Sequence, residues 1–229
     1  MVRTEMEIME KSEIMVELNH VKKAYKGNVL FTDINLRVHR GESCAVVGVN
    51  GSGKSMLLKM ICGLVRPDAG EIIVDGEKIK KGKFPRNTGV ILDNESFLPN
   101  ETGLNNLLII AGILRKVTKE EVKRTMALVG LNPASEVRVG KYSLGMKQRL
   151  AIAQALMEKP ALLILDEPFN AVFQSTVRDF RLLLERLNTQ EGVTIIMTSH
   201  HQEDVQGLCK NVYRLESGAL KAISIPLVP

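Results

Sequence analysis

The sequence predicts an α/β fold with a parallel-sheet core, an antiparallel β subdomain and a helical insert. Three observations carry that expectation. The glycine-rich run Gly48-Val-Asn-Gly-Ser-Gly-Lys-Ser55 joins a short apolar, β-branched stretch, Glu42-Ser-Cys-Ala-Val-Val47, to a stretch of helical periodicity over residues 56–64. Two further apolar runs, residues 161–165 and 193–199, flank a helical stretch over 174–188, which makes a βαβ unit and hence a parallel sheet. Between these halves, residues 101–157 are mostly helical in pattern.

Taken in chain order, Met15-Val-Glu-Leu-Asn-His20, Asp33-Ile-Asn-Leu-Arg-Val38 and Glu71-Ile-Ile-Val-Asp75 alternate apolar and polar residues or concentrate β-branched ones. Half-buried antiparallel strands do this, so the three predict a small β subdomain around the strand at 42–47. Gly89-Val-Ile-Leu92 is a further strand. Within the insert, Thr118-Lys-Glu-Glu121 is a capping box and Leu131-Asn-Pro133 breaks one helix from the next. The apolar run 107–114 reads either as a buried core helix or as the lining of a groove. The organisation expected is one domain over 1–229. It has an N-terminal extension at 1–12, a core with the β subdomain over about 13–92 and 159–224, and a helical subdomain over about 93–158.

Composition removes several alternatives. A chain of 229 residues fits one large α/β domain or one domain with a small insert. The run 107–114, ended by Arg115, is far shorter than the roughly 20 residues that span a bilayer, so no membrane crossing is expected. The acidic N-terminus lacks an apolar stretch, so no signal peptide is expected. Cys44, Cys62 and Cys209 are odd in number and far apart, which argues against a disulfide framework or zinc site and for a cytoplasmic chain. Net charge is +5, but basic residues are scattered apart from Lys78-Ile-Lys-Lys-Gly-Lys83, and only 4% of residues are aromatic. That cluster reads as a solvated loop, or one suited to anionic lipid headgroups, and no nucleic-acid partner is expected.

Residues 48–55 fit the G-x-x-x-x-G-K-[S/T] phosphate loop. In such a loop the backbone N–H groups around Gly48, Asn50, Gly51, Ser52, Gly53 and Met56 close on phosphate oxygens. Lys54 reaches the outer phosphates and Ser55 offers its hydroxyl to Mg²⁺. Phosphates then sit at a helix N-terminus, where free N–H groups and the helix dipole favour anions. The run Leu162-Leu-Ile-Leu-Asp-Glu167 puts two carboxylates at the C-terminal edge of a buried strand, where open α/β sheets place their ligands. Asp166 can hold the Mg²⁺ hydration shell, and Glu167 can polarise a water for in-line attack on a γ-phosphate.

With these motifs goes Tyr142-Ser-Leu-Gly-Met, followed by Lys147-Gln148-Arg149. From about residue 16 to 220 the chain resembles the nucleotide-binding subunits of ABC transporters, whose signature is Leu-Ser-Gly-Gly-Gln. The resemblance implies a P-loop NTPase cassette with a RecA-like parallel-sheet core, an antiparallel β subdomain and a helical signature subdomain. It implies ATP and Mg²⁺ as ligands and ATP hydrolysis as the activity. A second cassette, in a homodimer or heterodimer, completes each site. Ser143 then caps its helix and, with Gly145, faces the other subunit's nucleotide. Tyr25 stands where the family stacks an aromatic on adenine, and His200 where a switch histidine contacts the γ-phosphate, beside Lys54 and Glu167. The remaining partner implied is a transmembrane permease, with the cassette peripheral on the cytoplasmic face of the membrane.

Two departures matter. Asp93 stands where the family usually has glutamine. It can still bind Mg²⁺ but, when ionised, donates no hydrogen bond. The subgroup serving peptide-antibiotic immunity and bacitracin-type export is similar in its acidic residue here and in its Tyr-Ser-Leu-Gly-Met signature, which implies export of a peptide antibiotic, drug or similar amphiphile. Phe173 stands where relatives have an aspartate that helps order the opposing phosphate loop, and Asp179 is a poor substitute six residues on. Weakened coupling and turnover are therefore expected, and a low-turnover regulatory subunit stays open. So does a soluble, non-transport ABC ATPase, although the fused cassettes or long coiled-coil insert of that class are absent from the sequence.

Overall fold

The computed structural model describes residues 13–92, 97–170, 174–201 and 203–224. The expectations placed on Asp93, Phe173 and the extension 1–12 lie outside the described residues. In chain order the strands are β1 (Ile14–Tyr25), β2 (Asn28–His39), β3 (Ser43–Val47), β4 (Ala69–Val74), β5 (Glu77–Lys78), β6 (Thr88–Ile91), β7 (Leu162–Leu165), β8 (Thr194–Ser199), β9 (Asn211–Glu216) and β10 (Ala219–Ile223). The helices are α1 (Lys54–Ile61), α2 (Gly103–Leu114), α3 (Lys119–Leu128), α4 (Leu144–Leu156) and α5 (Gln174–Glu191).

Two sheets result. The antiparallel sheet has the order β2-β1-β4-β5, and the other has the order β10-β9-β3-β8-β7-β6, parallel except for β10. β3, β7 and β8 carry no polar alternation because both their faces are buried, as parallel strands under helices require. Cys44, Val46, Leu162, Ile164 and Ile196 join a core shared with α1 and the antiparallel sheet. Their neighbours Ala45, Val47, Leu163, Leu165, Ile195 and Met197 join a second core shared with α2, α3, α4 and α5.

Local chemistry explains most element ends. Lys26 and Gly27 turn β1 into β2 with φ of 49° and 82°, the paired positive φ values that match the twist of a two-residue hairpin. The β9–β10 hairpin, turned by Ser217-Gly218 with φ of 50° and 75°, is an addition to the expected elements. In α3 the capping box forms in both directions: Thr118 Oγ1 accepts the Glu121 N–H at 3.3 Å, and Glu121 Oε2 accepts the Thr118 N–H at 2.9 Å. The run 107–114 forms a helix that is buried along one stripe only. Leu107 and Ala111, one turn apart, are buried, whereas Ile113 is 75% exposed.

The helical insert is pressed directly onto the parallel sheet. A Cβ at Gly89 in β6 would lie 2.1 Å from the Ala155 carbonyl oxygen of α4, so only glycine admits the helix at this spacing. Gly89→Ala is expected to push α4 off the sheet and lower stability by about 1–3 kcal/mol, the usual range for overpacking. A lowered denaturant midpoint checks this, and a midpoint equal to that of the unsubstituted chain contradicts it.

Candidate functional site

The carboxyl edge of the parallel sheet collects the candidate residues. β3 ends at Val47 and leads through the glycine-rich loop into α1, whose first helical residue is Lys54. Gly53, the residue before it, has φ 106° and ψ 6°, and α1 has no capping side chain there. Its first N–H groups therefore lack both an intrahelical acceptor and a side-chain substitute. A Cβ on Gly53 would also lie 2.8 Å from Cε1 of Phe31, so the conformation and the packing select glycine together.

Lys54 is only 4% exposed, and its ammonium needs partners in compensation. Its Nζ donates to the carbonyls of Gly48 at 2.8 Å and Val49 at 3.2 Å, and it pairs with Glu167 Oε1 at 3.1 Å. Ser52 Oγ, in the same loop, is buried with no hydrogen-bond partner among the described residues. An acceptor-rich group brought into the loop would satisfy that hydroxyl along with the free N–H groups.

The two carboxylates sit where β7 ends. The Asp166 N–H donates to the Ile91 carbonyl at 2.8 Å, which continues the ladder to β6. Glu167 has φ 44°, in the left-handed region, and its side chain leaves the strand to meet Lys54. Its N–H donates to Thr198 Oγ1 at 2.9 Å, and that hydroxyl donates in turn to Asp166 Oδ1 at 2.5 Å. Glu167 Oε2 lies 3.0 Å from His200 Nδ1 and accepts from the Asn170 amide. Burial pushes the Glu167 carboxyl up, but the hydrogen bond and charge of Lys54, assisted by His200, outweigh it and hold the group below its ordinary value. With Glu167 ionised, His200 Nδ1 carries the proton of their hydrogen bond.

A cavity of about 720 Å³ opens over these groups. It is lined by Asn50, Gly51, Gly53, Lys54, Ser55, Met56, Asp166 and Glu167, all sequence candidates. Gly48 and His200 stand behind that lining, on Lys54 and Glu167 respectively. Tyr25 is elsewhere: it is 51% exposed at the end of β1, with Lys26 Nζ 5.6 Å from its ring centroid. Ser143 is also outside the lining. It is exposed and caps α4 by accepting the Met146 N–H at 3.2 Å, while Gly145 is buried in the first turn.

Leu30, Ile91, Leu144, Lys147, Gln148 and Asn170 complete the wall without having been sequence candidates. Gln148 reaches it because its Nε2 donates to the Pro168 carbonyl at 3.0 Å, tying α4 to the segment after Glu167. Thr198 was not a candidate either. Its only sequence signal is a hydroxyl two residues before His200, near the end of an apolar run. Together these groups offer a polyanion one buried cation and a helix N-terminus. The Ser55 hydroxyl and Asp166 carboxylate on the same wall form an oxygen-only donor set of the kind that suits Mg²⁺.

Comparison with known proteins agrees with this architecture. Residues 31–170 match the family described as ABC transporter. The chain is 38% identical over 208 residues to the uncharacterized ABC transporter ATP-binding protein YybJ of Bacillus subtilis, covering 90% of this chain and 95% of that one. It is 34% identical over 208 residues to the bacitracin transport ATP-binding protein BcrA of Bacillus licheniformis, covering 90% and 68% respectively. Among solved structures, the dimeric post-hydrolysis state of the ATP-binding cassette MJ0796, bound to ADP and Pi, matches with a TM-score of 0.81 at 24% identity, over 90% of this chain and 97% of that one. The expected cassette fold is the fold observed.

The Lys54–Glu167 contact has a measurable signature. Since Glu167 titrates below the ordinary glutamate value of 4.5 in the folded chain, its contribution to stability is present above that value and is lost as pH falls through the lowered one. Carboxyl ¹³C NMR of the nucleotide-free protein is expected to show Glu167 titrating low, and moving up in Lys54→Met. The same titration midpoint in both proteins contradicts the assignment.

Proposed function

The chain belongs to the ABC transporter family, and from that premise we propose that it binds and hydrolyses ATP to power a separate membrane permease. The observation that carries the reading is the convergence of Lys54, Ser55, Asp166 and Glu167 on one cavity beside an uncapped helix N-terminus. The loop N–H groups and Lys54 bind the phosphates. Phosphate oxygens replace Glu167 on Lys54, and the carboxylate so released is ionised and able to polarise a water. His200 holds its Oε2 in place from β8. Mg²⁺, held by Ser55 and Asp166, supplies neutralisation of phosphate charge.

A second cassette completes the site. Ser143 and the N-terminus of α4 are exposed and lie outside the chain's own cavity lining, which suits them to a nucleotide carried by a partner cassette, whether a second copy or a different chain. Tyr25, exposed at a hairpin end, stacks on adenine in this reading. Among the described residues no helix is long and apolar enough to cross a membrane. In this reading a separate permease supplies the pathway and the cassette docks on its cytoplasmic face. The similarity to a bacitracin transport protein supports export of a peptide antibiotic or similar amphiphile. Lys78 and Lys83 of the basic cluster pair with Glu71 and Glu77, which favours a solvated loop over a nucleic-acid surface.

Phe173 favours a second reading, a low-turnover regulatory subunit, because its phenyl ring accepts no hydrogen bond across the dimer. Steady-state hydrolysis with Mg²⁺ separates the two. Glu167→Gln is expected to lose turnover by roughly 10²-fold or more, the usual share of general-base catalysis, and to accumulate ATP-dependent dimers on size-exclusion chromatography. Phe173→Asp is expected to turn over faster than the unsubstituted chain. Equal rates would remove Phe173 from the account, and ATP binding without turnover would favour the regulatory subunit.

A further inference from the structure

We propose that Thr198 is a positioning residue for hydrolysis, fixing the metal-binding carboxylate and the general base relative to each other through a single hydroxyl. The proposal rests on the ATPase reading above. Thr198 is fully buried in β8, the strand between β3 and β7. A hydroxyl there carries a desolvation cost unless both its donor and its acceptor capacity are used. Both are used on the site: the proton goes to Asp166 Oδ1 and a lone pair takes the Glu167 N–H.

Sheet register explains why this position can do it. Leu165 pairs with Met197, so Asp166 comes level with Thr198 one residue later. His200 follows one residue past the end of β8. β8 and the residue just past it thereby hold Glu167 at both ends, Thr198 at its N–H and His200 at its carboxylate. The neighbouring hydroxyl does different work, because Ser199 Oγ donates to Asp204 at 2.7 Å and accepts the His201 N–H at 2.9 Å. The left-handed φ of 44° at Glu167 is what turns its side chain off the strand line towards Lys54, and the Thr198 hydrogen bond anchors the backbone at that turn.

The direction of the two hydrogen bonds carries the consequence. A hydroxyl has one proton, and here it is given to Asp166 Oδ1, so the lone pairs are what remain for the Glu167 N–H. Loss of the hydroxyl frees the Asp166 carboxylate to rotate and leaves the Glu167 N–H unpaired. Both the Mg²⁺ requirement and the chemical step then suffer, while contacts to the nucleotide itself are untouched.

Thr198→Val and Thr198→Ser separate positioning from packing. Valine keeps the shape and removes the hydroxyl, and serine keeps the hydroxyl and removes the methyl. The measurements are turnover, KM for ATP, the Mg²⁺ concentration that half-saturates binding of a fluorescent ATP analogue, and the unfolding midpoint of the nucleotide-free protein. Thr198→Val is expected to lower kcat or raise the Mg²⁺ requirement by about 10- to 100-fold, the usual effect of losing a partner of a metal-binding group, with KM little changed. Thr198→Ser is expected to retain most of the activity even if its unfolding midpoint falls. The reverse order, valine active and serine impaired, overturns the proposal, as does valine indistinguishable from the unsubstituted chain. If the unsubstituted chain binds no nucleotide at all, the ATPase reading fails and takes this proposal with it. If it binds and hydrolyses ATP while valine matches it, Thr198 alone is refuted.

Discussion

A cation held almost wholly out of water governs this site. The Lys54 ammonium is tolerated at 4% exposure because two loop carbonyls and the Glu167 carboxylate surround it. Those partners come from two strands far apart in sequence, so the cation has its full set only when β3 and β7 are registered through β8. The same charge is the natural counterpart of a phosphate. In the proposed function one ammonium would serve both anions, so that nucleotide binding and the parting of Glu167 from Lys54 would be a single exchange.

Everything around that contact is placed by a sheet whose central strands β3, β7 and β8 have no solvent-facing side. The apolar residues of β3, β7 and β8 divide between two cores, which fixes the strands laterally and brings their carboxyl ends to one edge. The site groups follow where the strands stop: the glycine-rich loop from Gly48 after β3, Asp166 and Glu167 after β7, and Thr198 to His200 at and just past the end of β8. On one face α1 packs beneath the antiparallel sheet. On the other, α4 approaches β6 so closely that Gly89 is required, and Gln148 on α4 bonds to the backbone just past Glu167. The helical insert is thereby in direct contact with the segment that follows Glu167.

What the sequence made legible was local. The strand–loop–helix around Lys54, the carboxylate pair after an apolar run, the Thr118–Glu121 capping box and the Ser143 cap each depend on residues within a few positions of one another. What stayed hidden depends on register. The Thr198 hydroxyl contacts Asp166 and Glu167 only because Leu165 pairs with Met197, and nothing in the linear spacing discloses that pairing. Lys147, Gln148 and Leu144 line the cavity because of how α4 is docked, again a long-range matter. The strands β1 and β2 extend past their expected cores because Val21 and Phe31 are buried in the core under the hairpin, and the exposed end beyond them is held by the backbone ladder. The run 107–114 was ambiguous for a physical reason: an apolar helix with one buried stripe and one exposed stripe has the composition of both alternatives.

The most direct test of the account is a crystal structure of the protein with Mg²⁺ and a non-hydrolysable ATP analogue. The account predicts phosphate oxygens on Lys54 Nζ and on the backbone N–H groups at the start of α1, with Glu167 parted from Lys54 and still held by His200. A nucleotide bound elsewhere, or one bound in the loop with the Lys54–Glu167 contact intact, would contradict it.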